Sequence, residues 1–139
     1  MLSRPAMLMS GITLLAVPSI MFGGASLLGI LTAGEAGMPP GDLHLTDTQW
    51  SLFRAGHAHA GVLVILSLVI QILLDSAVLS PGARWLARIS APLAAVMMSG
   101  GFFGLAFIPA FRWLLYLGAM ALALALIVSG VGLIRRPAR

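Results

Sequence analysis

The chain has no cysteine and no lysine. Without cysteine it cannot form a disulfide, carry a thiolate nucleophile, ligate an iron–sulfur cluster or build a cysteine-based zinc site. Charge of either sign is scarce: 9% of the residues are charged and only four are acidic. No paired carboxylates stand at catalytic spacing, no nucleophile has a base beside it, and no signature for phosphate, nucleotide or sugar binding is present. The residues thus leave an enzymatic role open but point away from an independent enzyme, and they name no substrate. There is no internal repeat and no low-complexity tail.

What is abundant is apolar. Hydrophobic residues make up 60% of the 139 positions and the mean hydropathy is +1.05. A soluble domain is about half apolar and about a quarter charged. The composition therefore predicts a single all-α integral membrane domain, residues 1–139, in contact with the lipid bilayer. All eight basic residues are arginine and the pI is near 11.5. No basic run is interleaved with aromatics, so no nucleic-acid partner is expected; arginines at helix ends orient the spans instead.

Four apolar segments, about 6–31, 49–74, 85–108 and 111–134, each reach the ~20 residues that a span requires. They predict a four-transmembrane-helix bundle. The first segment is longer than the ~7–15-residue apolar core of a signal peptide, so a retained helix is expected. Arg4, Arg84, Arg88, Arg135, Arg136 and Arg139 fall on one side of a four-span topology, and Arg54 and Arg112 on or toward the other. By the positive-inside rule both termini and the 75–84 loop are cytoplasmic, in the plasma membrane. The loop at about 32–48 is then outside and carries Glu35, Asp42 and Asp47.

Local signals refine this frame. Thr46 and Gln49, three residues apart, predict a capping box at the start of the second helix, and Trp50 suits the interfacial aromatic belt. Gly100 and Gly104 in the third segment, and Ala25 and Gly29 in the first, predict close helix approach. Pro18 and Pro92 are expected to kink or locally open their helices. Asp75 is expected to pair with Arg84 or Arg88, and Arg54 to snorkel or to pair with Glu35 or Asp47. The methionines are scattered packing residues rather than a soft copper site.

Against that background one string stands apart: Gly56-His57-Ala58-His59-Ala60-Gly61. It holds two of the chain's three histidines, about ten residues into the second helix, or ~15 Å along its axis. Imidazole at that depth is costly without a partner. The candidates are a cofactor, a metal, a proton path or a buried hydrogen bond. Residues two apart on a helix point ~200° apart, so His57 and His59 face opposite sides and do not grip one ion together. The small residues around them let a planar group or another helix come close. Three readings stay open. Haem is the first. A metal-ion or proton pathway is the second, with copper or zinc held by His57 or His59 together with His44 and Asp42 or Asp47. The third is a non-redox accessory or assembly subunit, its histidines bonding between helices to backbone carbonyls, Ser67, Ser99 or Gln71.

The string Gly56-His57-Ala58-His59-Ala60-Gly61-Val62-Leu63 resembles the histidine-x-histidine helix of the haem–copper oxidase superfamily, most closely that of cbb3-type oxidase and nitric oxide reductase catalytic subunits. The resemblance covers about ten residues. It implies that His57 and His59 are each an axial ligand of haem b; from spacing, Arg54, one turn before His57, and Arg112 at the outer end of the fourth helix are expected as cations for the propionates. A sixth ligand is expected from a second subunit or from Met97 or Met98. The chain departs from the superfamily in having four spans rather than about twelve, no adjacent histidine pair for a second metal, and a lone Tyr116 without cross-linking context. The expected role is therefore a small haem protein serving electron transfer, redox sensing or the support of a respiratory complex, as a homo-oligomer or a subunit of a larger membrane complex.

Overall fold

The computed structural model describes residues 1–32, Glu35 and 45–135. The predicted helices are all present: α1 Arg4–Leu31, α2 Asp47–Leu73, α3 Pro81–Leu105 and α4 Arg112–Ile134, with a 3-10 turn Pro109–Phe111 leading into α4. No strand occurs among the described residues, and the four helices are long and apolar enough to cross a membrane.

The helix starts are set by side-chain caps. Thr46 accepts from Gln49 N, and the Gln49 side chain in turn accepts from Thr46 N at 2.9 Å, so the capping box forms as expected. Ser3 caps α1 and Ser80 caps α3, each followed by a proline in the first turn. α3 begins at Pro81, four positions before the apolar segment expected from about residue 85. Ser80-Pro81 is an N-cap and first-turn signal, and it extends the helix through polar residues that hydropathy alone leaves out.

The helices run antiparallel and form a row rather than a closed square. α3 packs on α2 on one side and on α4 on the other; α1 packs on α2 and touches α3 only slightly, and α1 does not reach α4. The core is built from small side chains that draw the backbones together. Ala87 and Ala91 of α3 meet Ile70 of α2, Leu74 at its C-cap and Ala125 of α4, while Leu63, Val64 and Ala95 form a second cluster. The outward faces stay apolar, with Leu15, Phe22, Val62, Ile65 and Ile127 all exposed. Exposed apolar area on this scale marks surfaces covered by lipid or by other helices.

Of the glycine pair predicted for close approach, only Gly104 serves that way. A Cβ there would overlap the Phe111 ring, so Gly104 lets the 3-10 turn fold back on α3. Gly100 has nothing within 4 Å. On α1, Gly29 is buried and Ala25 is exposed, so that pair does not share one interface.

At the end of the row that carries the α2–α3 connection, charge is buried. Arg88 is 1% exposed. Its Nη2 donates to the Asp75 carboxylate and, at 3.3 Å, to Ser3 Oγ; its Nη1 donates to Gln71 Oε1 at 3.0 Å. Gln71 Nε2 donates to Arg88 O at 2.8 Å. Ser3 N and Ser3 Oγ both donate to Asp75 at 2.7 Å. Asp75 thus pairs with Arg88 and not with Arg84, which donates instead to Ala77 O at 3.1 Å. Arg88, read from sequence as an orienting surface charge, is an internal bracket joining α1, α2 and α3. At the opposite end Gln49 Nε2 donates to Ala106 O at 2.8 Å, tying α2 to the end of α3.

Candidate functional site

Because α2 lies between α1 and α3, its two histidines meet different neighbours, as their angular separation requires. His57 turns to α1. Its Cε1 and Nε2 lie 2.8 Å from where a Cβ on Gly24 would stand. The missing side chain of Gly24 is the notch that receives the imidazole edge. His59 turns to α3, where its ring meets Phe102 with centroids 4.7 Å apart and a 39° tilt. Between them Gly56 sits under the Phe103 ring, where an added Cβ would stand 3.1 Å from that ring. Phe53 packs edge-on against Phe103 and Phe107, which fixes the aromatic wall of α3 beside α2.

The hydrogen bonding of the two rings differs. His59 Nδ1 lies 2.7 Å from Ala55 O, one turn back on its own helix. A carbonyl only accepts, so Nδ1 is the donor, and in the neutral ring Nε2 is then the nitrogen with the lone pair. A histidine that binds a metal through one nitrogen almost always donates the other N–H to a carbonyl or carboxylate in this way. His57 has no hydrogen bond among the described residues, and its Nε2 edge is set against the α1 backbone. The hydrogen bond of His59 is the kind a metal-binding histidine makes, whereas at His57 the α1 backbone stands against the Nε2 edge.

A cleft of about 380 Å³ opens between α1, α2 and α3 beside His57. Its walls are small or apolar, among them Gly23, Ala60 and Gly100. Ser19 and Ser99 also line it; Ser19 Oγ donates to Ala16 O at 2.6 Å, whereas Ser99 Oγ is buried without a partner.

The other expected partners are not brought together. Met97 and Met98 lie against Gly118 of α4, and Met98 also packs on the Leu63, Val64 and Ala95 cluster. The expected interhelix bonds of the imidazoles are absent among the described residues: Gln71 is taken by Arg88, and Ser67 and Ser99 keep unpartnered hydroxyls. Arg54 and Arg112 are exposed, with guanidiniums 5.7 and 5.5 Å over the rings of Trp50 and Trp113. Arg54 makes no ion pair with Glu35 or Asp47 among the described residues. His44 and Asp42, the remaining members of the proposed copper or zinc site, lie outside the described residues. Among those described, no three histidine or carboxylate residues gather to hold a metal ion.

The buried Arg88–Asp75–Gln71–Ser3 bracket is the feature that sequence reasoning reached only in part. The Asp75–Arg88 alternative was visible from charge. Gln71 was expected to bond the imidazoles instead, and nothing local singled out Ser3.

No family model matches this chain, and neither a curated protein nor a solved structure does.

Proposed function

We propose that this chain is a multi-pass protein of the plasma membrane, both termini cytoplasmic, that holds haem b on His59 and serves electron transfer, redox sensing or the support of a respiratory complex. The observation that carries the reading is the His59 Nδ1 bond to Ala55 O at 2.7 Å, which leaves Nε2 as a lone-pair donor. Haem iron is commonly held by histidine, and hydrogen bonding to the ligand is one of the means by which the protein sets the iron's potential. When bound, haem supplies one-electron chemistry. The chain's own part is to fix the ring, to shield one side with Phe102, and to offer Arg54 and Arg112 to the propionates. With one suitable histidine per chain, a bis-histidine site takes the second His59 from another copy, which makes the working unit a homo-oligomer.

Haem quantified against protein concentration tests this. The expected value is one haem for two chains, lost in His59→Ala and kept in His57→Ala.

The accessory-subunit reading has one observation in its favour: His57 is seated in the Gly24 notch, so part of the pair's work is packing α1 on α2. On that reading the purified protein is colourless, and both alanine variants lose only stability.

A further inference from the structure

Two helix starts break a local charge rule at the end of the row that carries the α2–α3 connection. A helix N-terminus is the positive end of its dipole and favours an acidic residue in the first turn. Neither α1 nor α3 has one there. Arg4 opens α1 instead, and Arg84 closes the first turn of α3, its amide bonded to Ser80 O at 3.0 Å. Both cations stand at the unfavourable pole of their helix.

The chain offers them no side-chain carboxylate. Three of its four acids, Glu35, Asp42 and Asp47, fall at or between the opposite ends of α1 and α2. The fourth, Asp75, is taken by Arg88 and by both Ser3 donors. Arg84 Nη2 reaches only a backbone carbonyl, Ala77 O. Arg4 and Arg135 are exposed, and neither makes an ion pair among the described residues.

The connection at residues 75–80 ties these three helix ends together. Asp75 accepts from Ser3, the neighbour of Arg4, and Ala77 O accepts from Arg84. Val78 N donates to Gly132 O at 2.8 Å, one turn before Arg135 at the α4 C-cap. Three uncompensated cations therefore surround one short loop. Their neighbours restrict what covers them. Exposed apolar side chains adjoin each arginine: Met7 and Leu8 beside Arg4, Trp85 and Leu86 beside Arg84, and Ile134 beside Arg135. A free anion would pair the guanidiniums and leave that surface bare, whereas an anionic amphiphile covers both. Guanidinium forks suit phosphate oxygens. No carboxylate is left to receive an ammonium, so the headgroup carries no amine.

We infer that this end of the row binds the phosphate of an amine-free anionic phospholipid, of the phosphatidylglycerol or cardiolipin class, on Arg4, Arg84 and Arg135. Basic pockets between membrane helices hold headgroups of this kind. Orienting the spans needs the charges alone; the site adds a stoichiometric, headgroup-selective lipid. The inference does not depend on haem at His59.

In the test, the full chain in detergent is offered equimolar phosphatidylglycerol and phosphatidylethanolamine with matched acyl chains. Native mass spectrometry counts the lipid retained. Selective retention of phosphatidylglycerol is expected. Arg4→Gln and Arg84→Gln are each expected to weaken it about fivefold, the effect of one basic residue near an anionic surface. Helicity and monodispersity confirm that each variant folds. Arg4 is exposed, so its variant decides the matter if Arg84→Gln does not fold. Inorganic phosphate in millimolar excess is expected to leave the lipid in place. Equal retention of the two lipids overturns the inference, as does retention unchanged in the folded arginine variants. Displacement by inorganic phosphate also overturns it, since the ligand is then a free anion.

Discussion

Arg88 of α3 reaches to the Asp75 carboxylate just beyond α2, and Ser3, at the very start of α1, donates to that same carboxylate through both its N–H and its hydroxyl. One buried ion pair thus anchors a helix that otherwise has little holding it. α1 is only 11% buried over its most apolar stretch. Beyond this bracket it buries Ala6, Thr13, Leu27 and Gly29, packs Val17 and Ile20 on the Leu63, Val64 and Ala95 cluster, and receives His57 at the Gly24 notch.

Removing one partner of the bracket leaves the other charge buried and uncompensated, which costs ~3–5 kcal/mol. Asp75→Ala and Arg88→Ala are therefore expected to be strongly destabilising, and the double variant less so than the sum. A double-mutant cycle of unfolding free energies in detergent measures the coupling.

The pair also sets a pH dependence. Burial pushes the Asp75 carboxyl up. The hydrogen bonds from Ser3 and from Arg88, with the attraction of the guanidinium, outweigh this and hold it below the ordinary value of 3.8. A carboxyl depressed on folding contributes stability that is complete above its unfolded value and is lost as pH falls through its folded one. Thermal stability is expected to be flat with respect to Asp75 from pH 7 to about 5, and to fall below about pH 4. Asp75→Asn is expected to remove that acid limb while lowering stability at neutral pH, as read from melting temperatures across the pH series.

A side chain at Gly24 should force the His57 ring out of its seat. An added Cβ would stand 2.8 Å from the imidazole edge, and overpacking of this kind costs ~1–3 kcal/mol. Gly24→Ala is expected to lower stability and to loosen α1. Combined with His57→Ala, which empties the notch, it should recover most of the loss. Hydrogen exchange of the α1 amides measures both effects.

The helices were legible because their signals are local. Four apolar runs gave α1 to α4, and Thr46 with Gln49 gave the start of α2. The helical start of α3 lies outside its apolar run, at the Ser80-Pro81 cap, where hydropathy carries no signal. Long-range choices were not legible. Nothing local says that Asp75 selects Arg88 over Arg84, since both lie within reach of the same loop. Nor does local sequence pair His57 with Gly24, thirty-three positions away and on another helix. The opposite orientation of His57 and His59 did follow from helix geometry alone. Which of them keeps a free nitrogen depended on the neighbours.

The most direct test is the absorption spectrum of the detergent-purified protein, oxidised and then reduced with dithionite, beside His59→Ala and His57→Ala. The account predicts a Soret band and a reduced α-band in the native protein and in His57→Ala, and neither in His59→Ala. A colourless native protein from haem-replete cells, or bands that survive His59→Ala, would contradict it.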